Sequence, residues 1–209
     1  MSKKKFYFIV FEGVEGTGKS YQINKLFYKL KNKGFSVQTT REPGGNPTAE
    51  KIRKLLFDKK SNKFDKLTDY YLILASRNEH IKNKIKPALK QKKIVICDRF
   101  IDSTIAYQVH GKKVDIKFIN LIHKKILQGI KPNIVFVLKV SEKSSKKRLK
   151  RRKTKNRYDN FSQSFYDKAQ KSFLKIAKNK KNYFIFESSA NDNFLENKIF
   201  SITKKFLNI

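Results

Sequence analysis

Two patterns alternate along the chain. Runs of six to eight residues, dense in β-branched and aromatic side chains, recur at 6–11 (FYFIVF), 35–40 (FSVQTT), 93–98 (KIVICD), 133–140 (NIVFVLKV) and 182–188 (NYFIFES). Their near-continuous apolarity is what parallel strands covered on both faces show. Between them apolar residues fall at helical spacing, as at Ile23, Leu26, Phe27 and Leu30, or Ile116, Ile119, Leu121, Ile122 and Ile126. Strand and helix in alternation predict a three-layer α/β fold: a five-stranded parallel sheet flanked by helices and joined by right-handed crossovers. No internal repeat and no Pro- or Gly-rich linker divides the chain, so residues 1–209 are expected to form one domain.

Composition changes this picture little. Lys plus Arg number 50 against 17 acidic residues, a formal charge of +33, which by itself favours polyanionic partners. The lysines are spread over nearly every segment, however, as a solvated surface would have them, and nucleic acid is not an expected partner. The single cysteine, Cys97, allows no internal disulfide and fits a reducing compartment. The basic N-terminus leads into an apolar run that Glu12 ends after six residues, too short for a signal-peptide core or a membrane span. A soluble, cytoplasmic protein with no membrane partner is expected.

The first strand runs into GVEGTGKS (Gly13, Val14, Glu15, Gly16, Thr17, Gly18, Lys19, Ser20) and then a helix. This is the order a phosphate-binding loop requires. Its backbone N–H groups and the helix N-terminus wrap phosphates, Lys19 reaches the outer phosphates, and the Ser20 hydroxyl is placed for Mg²⁺. ATP and Mg²⁺ are the cofactors expected. A glycine turn before an ordinary helix is the bland alternative. A GTPase would want a base-recognition tetrapeptide of the NKxD kind; the chain is taken to lack one, which favours a kinase that positions an acceptor.

Three further stretches describe that acceptor: TREPGG (40–45), ASRNEH (75–80) and DRFIDSTIAYQ (98–108). Two of them sit at carboxyl ends of predicted strands, where parallel sheets form their ligand crevice. Together with GVEGTGKS they make the chain resemble the thymidylate kinases of bacterial type over nearly its whole length, a P-loop kinase fold with a short lid. The resemblance implies transfer of a phosphoryl group from ATP to thymidine monophosphate (dTMP) in a homodimer. It implies that Arg41 and Arg99 grip the 5′-phosphate, that Arg77 fixes the thymine ring with Gln108 and Tyr107 beside it, and that Ser103 and Pro43 line the same pocket. Asp98 is similar to the acid that helps hold Mg²⁺, and Glu15 to one that accepts a hydrogen bond from the sugar 3′-hydroxyl. Without the motif, Arg77 reads more often as a surface ion-pair partner than as a ligand, and Arg99 as a neutraliser of Asp98.

Some relatives carry an arginine where this chain has Gly16, so the charge for the transferring phosphoryl group must come from elsewhere. The run KKRLKRRKTKNR (146–157), in the place of a lid spanning about 146–160, holds four of the chain's eight arginines, at 148, 151, 152 and 157. Arg152, supported by Arg148, is the expected supplier, with Arg151 one position away as the alternative and a solvated basic helix end as the bland reading. The sequence departs from the family at Ile73 and Leu74, where an aromatic ring for base stacking is common and where Tyr70, Tyr71 or Phe100 would have to serve. It departs also at Val109–His110, in place of glycine, and at Asn156, in place of an acid. The rival readings are another nucleotide or nucleoside kinase of this fold and a basic nucleic-acid-binding protein with a vestigial loop. The intact Lys19, Ser20 and Asp98 speak against the latter.

Overall fold

The structure, a computed structural model, describes residues 7–58, 64–111, 113–151, 162–189 and 193–208. Five strands form one parallel sheet in the order β2-β3-β1-β4-β5: β1 Tyr7–Glu12, β2 Val37–Arg41, β3 Ile94–Asp98, β4 Ile134–Lys139 and β5 Tyr183–Glu187. All five sequence runs are strands, and the central position of β1 puts its carboxyl end, and the loop after it, in the middle of the crevice edge.

Each central strand alternates its side chains between two cores. From β1, Phe8 and Val10 enter one cluster while Ile9 and Phe11 enter the other; β3 and β4 divide in the same way. Both faces are thus dry, which is why these strands read as continuous apolar runs. The edge strands β2 and β5 are only half-buried. Burial of a side chain such as Phe136 contributes on the order of 2–3 kcal/mol, so the sheet is anchored at its centre, under the site.

The helices are α1 Lys19–Lys31, α2 Pro47–Phe57, α3 Lys66–His80, α4 Lys86–Lys90, α5 Ile101–Thr104, α6 Ile116–Leu127, α7 Glu142–Lys150, α8 Gln163–Ala177 and α9 Asn193–Leu207. Local chemistry starts several of them. Asn46 accepts from Ala49 N ahead of Pro47 in α2, Asp65 accepts from Leu67 N and Thr68 N in α3, and Ser141 caps α7. α3 passes through a π-helical turn, Ile81–Ile85, into α4, and a second such turn, Ile105–Gly111, carries Tyr107 and Gln108. In α1 the predicted stripe is buried at Ile23, Leu26 and Leu30. In α6 it is not uniformly so: Ile119 is buried, but Ile116 and Leu121 face out, Leu121 being 57% exposed. No helix among the described residues is long and apolar enough to cross a membrane.

Candidate active site

The loop after β1 has a shape only glycine permits at Gly13, where φ is +133° and a Cβ would lie 2.2 Å from Leu138 O. Gly18 begins α1 without a side-chain cap, and no acid occupies the first turn. The helix therefore offers bare N–H groups and the positive end of its dipole to an anion. Lys19 folds back over the loop, its Nζ donating to Gly13 O and Val14 O, both at 2.9 Å. Burial, and then Arg99, lower its pKa to about 8. Val14 and Thr17 are buried, with Thr17 Oγ1 donating to Val14 O, so their side chains brace the loop rather than face a ligand.

Ser20 Oγ donates to Asp98 Oδ2 at 3.3 Å, from the first turn of α1 to the end of β3. The other oxygen, Asp98 Oδ1, is buried without a hydrogen-bond partner. No cluster of three metal-ligating side chains occurs among the described residues. One carboxylate and one hydroxyl beside a phosphate loop fit Mg²⁺, which keeps waters and takes phosphate oxygens as its other ligands.

Glu15 turns away from the phosphate cradle. Its Oε1 accepts from Arg99 Nη2 at 2.9 Å and its Oε2 from Tyr107 OH at 2.7 Å. The arginine is held in turn: Nη1 donates to Gly13 O and to Ser103 Oγ, the guanidinium lies 5.2 Å from the Tyr107 ring centre, and the backbone takes a left-handed φ of 72°. Such a conformation is costly outside glycine and is tolerated where the surroundings fix it. Behind it lies Glu12, wholly buried, accepting from Phe100 N, Ser103 N and Ser103 Oγ. Burial and the neighbouring Asp102 push its carboxyl up to about 7. Glu12, which in sequence only ends an apolar run, orients the turn that presents Arg99 and Ser103.

Arg77 is 2% exposed, and all three of its guanidinium nitrogens donate to acceptors on the protein. Nε and Nη2 meet Glu42 Oε2 at 2.7 and 2.6 Å; Nη2 also donates to Phe100 O, and Nη1 to Thr104 Oγ1 and His123 Nε2. Burial opposes the charge on Glu42, but Arg77 and His80 hold its carboxyl below the ordinary value. The three histidines are thus used as wiring: His80 between Thr40 and Glu42, His123 behind Arg77, and His110 on Ser172.

Arg41 stands at the rim, exposed and paired with Glu50 at 3.0 Å. Deeper in, sequence reasoning missed Arg53, which donates to Pro43 O at 2.7 Å and lies 4.3 Å from the Phe57 ring centre. From the far side α7 closes on the loop. Ser145 Oγ donates to Glu15 O, and Arg148 donates to Gly16 O at 3.0 Å and Ser189 O at 3.1 Å. A Cβ at Gly16, whose φ is +75°, would lie 2.8 Å from Ser145 Oγ, so an arginine has no room there. Residues 146–150 end α7, none of them buried; Arg152 and Arg157 lie outside the described residues.

One cavity of about 450 Å³ is lined by Glu15, Gly16, Gly18, Lys19, Ser20, Arg41, Pro43, Arg77, Asp98, Arg99, Ser103, Tyr107, Gln108 and Arg148 together. Its size suits a nucleotide site. Ile73 and Phe100 line it and Tyr70 and Tyr71 do not, so an aliphatic side chain stands where an aromatic ring is common. All six arginines among the described residues line it; among the described lysines, only Lys19 does.

Residues 11–199 match the family described as thymidylate kinase. The chain belongs to that family. It is 39% identical over 179 residues to the thymidylate kinase of Sulfurihydrogenibium sp., covering 86% of this chain and 87% of the relative. It is 44% identical over 174 residues to that of Wolbachia pipientis, covering 81% and 84%. The crystal structure of thymidylate kinase from Ehrlichia chaffeensis superposes with a TM-score of 0.76 at 32% identity, over 94% of this chain and 98% of that one. As a thymidylate kinase the chain is a nucleoside monophosphate kinase, which transfers phosphate from ATP to dTMP. One sequence argument for this was wrong: Asn62, Lys63, Phe64 and Asp65 do spell NKxD. Asp65 caps α3 and is not among the cavity residues, so the kinase reading stands on the acceptor motifs and not on the absence of such a tetrapeptide.

Proposed function

We propose that the cavity holds both nucleotides in line, with the phosphates of ATP in the loop 13–20 and dTMP across from them. Arg99 and Arg53, with Arg41 at the rim, take the 5′-phosphate, for which guanidinium forks suit two oxygens each. Arg77, Gln108 and Pro43 take the base, and Glu15 accepts from the 3′-hydroxyl alongside Tyr107. Ser20 and Asp98 hold Mg²⁺, and the unpartnered Asp98 Oδ1 supports that assignment. Bound there, the ion supplies neutralising charge for the phosphates. Lys19 leaves the loop carbonyls for the outer phosphates of ATP, and Arg148, already at Gly16, supplies charge as the phosphoryl group moves; Arg152 remains part of this proposal. The protein forms no covalent intermediate: it aligns two anions and neutralises them.

The observation that carries this reading is the single cavity shared by the phosphate loop, the acceptor motifs and every described arginine. A homodimer belongs to the same proposal, supported by exposed apolar side chains on the packed helices α3 and α6 (Leu67, Tyr71, Ile116, Leu121). A cytoplasmic setting is supported by the one buried free thiol, Cys97. The test is a coupled ADP-release assay with Mg²⁺ and the monophosphates of thymidine, deoxyuridine, deoxycytidine and deoxyguanosine. dTMP is expected to give the highest kcat/KM. Single Arg148→Ala and Arg152→Ala variants are expected to lower kcat with dTMP affinity nearly unchanged; equal turnover in both would remove the lid from catalysis.

A further inference from the structure

We propose that His123, on α6, is a positioning residue for recognition of the acceptor's base: it pins the Nη1 corner of the Arg77 guanidinium at the cavity wall. The inference rests on the reading of Arg77 as the residue that meets the base.

Arg77 is gripped unequally on its two sides. The Nε and Nη2 edge is fixed by Glu42 and by the carbonyl of Phe100. The Nη1 nitrogen has two acceptors, Thr104 Oγ1 at 2.8 Å and His123 Nε2 at 2.7 Å. Thr104 lines the cavity, so a bound base competes for it; His123 does not line the cavity and is 5% exposed behind it. When a ligand draws on the Thr104 side, His123 is the acceptor left to keep Nη1 in place. Without it a buried N–H loses its partner and the fork loses one of its fixed corners.

The chemistry of the acceptor is specific. Arginine only donates, so His123 Nε2 must carry a lone pair and Nδ1 the proton. Burial, and then the charge of Arg77, lower the pKa of His123 to about 3, which keeps the ring a neutral acceptor. Glu42 already balances the arginine's charge, and a neutral partner adds direction without a second anion. The residue's place in the helix fits this use: His123 lies one turn after the buried Ile119, on the inner face of α6.

The experiment compares His123→Leu, which keeps bulk without an acceptor, with His123→Gln, whose amide oxygen reaches about as far as Nε2, in steady-state kinetics on the intact protein. His123→Leu is expected to raise KM for dTMP about tenfold, with kcat and KM for ATP within about twofold, and His123→Gln to recover most of the loss. An Arg77→Leu variant is expected to raise KM for dTMP by at least as much, and adding His123→Leu to it to cost little more. A silent His123→Leu beside an impaired Arg77→Leu overturns the inference alone, as does a His123→Gln no better than His123→Leu. An Arg77→Leu variant with normal dTMP kinetics overturns the base-reading assignment itself. Should His123→Leu not fold, long-range ¹⁵N–¹H spectra of the parent decide: a neutral ring protonated on Nδ1 down to about pH 5 is expected, and a charged or Nε2-protonated ring overturns the proposal.

Discussion

Removing the carboxylate of Glu15 separates two jobs that the geometry gives it. In the unliganded protein it pairs with Arg99 at 2.9 Å and accepts from Tyr107 at 2.7 Å, in a setting where its side chain is 14% exposed. A carboxylate oxygen has lone pairs to spare, so the sugar 3′-hydroxyl can join Tyr107 on Oε2. A hydrogen bond to a charged group contributes about 1.5–3 kcal/mol, or roughly 10- to 150-fold in Kd. Glu15→Ala also releases Arg99 Nη2, which strengthens the positive field on the 5′-phosphate and offsets part of that loss, so a weakening of about tenfold for dTMP is the expected net effect. The offset is removed by comparing dTMP with its 3′-deoxy analogue, which has the same phosphate. By calorimetric titration the parent should prefer dTMP by about tenfold or more, and Glu15→Ala should show almost no preference, while ATP affinity stays within about twofold. If the variant still distinguishes the two ligands, Glu15 does not meet the hydroxyl; if the loss falls on ATP, the acid serves the donor side.

Further outcomes follow from the same geometry. Lys19→Ala should fold normally and lose about two to three orders of magnitude in kcat. Since the Lys19 pKa is lowered to about 8 and phosphate raises it again, ATP binding near pH 8–9 should take up protons, read by calorimetry in buffers of different ionisation enthalpy and absent in the variant. Over that window the unfolded chain holds the extra proton, so this group's contribution to the unliganded protein's stability rises with pH. The carboxyl of Glu12 is pushed the other way, to about 7, so the native state holds more protons than the unfolded one between about pH 4.5 and 7 and stability from this group falls across that range; urea unfolding should show a flatter pH profile in Glu12→Gln, and an unchanged profile would refute it. Gly16→Ala must bear a left-handed φ and press on Ser145, costing about 1–2 kcal/mol and lowering Tm by about 2–8 °C, and it should lower kcat as α7 carries Arg148 off the loop; a neutral effect on both would mean α7 is not seated there.

Strands β1, β3 and β4 were legible because both faces of each are buried, and a doubly buried strand shows itself as an apolar run. The phosphate loop was legible because glycine, lysine and serine at fixed spacing answer to backbone geometry that few other residues satisfy. What stayed hidden depends on contacts distant in sequence. Glu12 looks like the end of a strand until Phe100 and Ser103, about 90 positions away, hang on it. Arg53 sits in an ordinary amphipathic helix, and its one signal was being an arginine in a chain that otherwise uses lysine. His123 gave a weak sign, a polar ring on the apolar stripe of α6. The outward Leu121 was misplaced because helical spacing marks an apolar face without saying whether the same chain covers it.

The division between guanidinium and ammonium has a use of its own. A chain with 42 lysines and eight arginines carries its own substitution scan: over most of the surface a point charge on a flexible stem is sufficient, and lysine stands there. The positions that keep a planar fork, with donors set at a fixed angle, mark where direction and not merely charge is required. Among the described residues those positions, Arg41, Arg53, Arg77, Arg99, Arg148 and Arg151, all line one cavity. It is the scarce guanidinium, and not the abundant ammonium, that marks the cavity among the described residues.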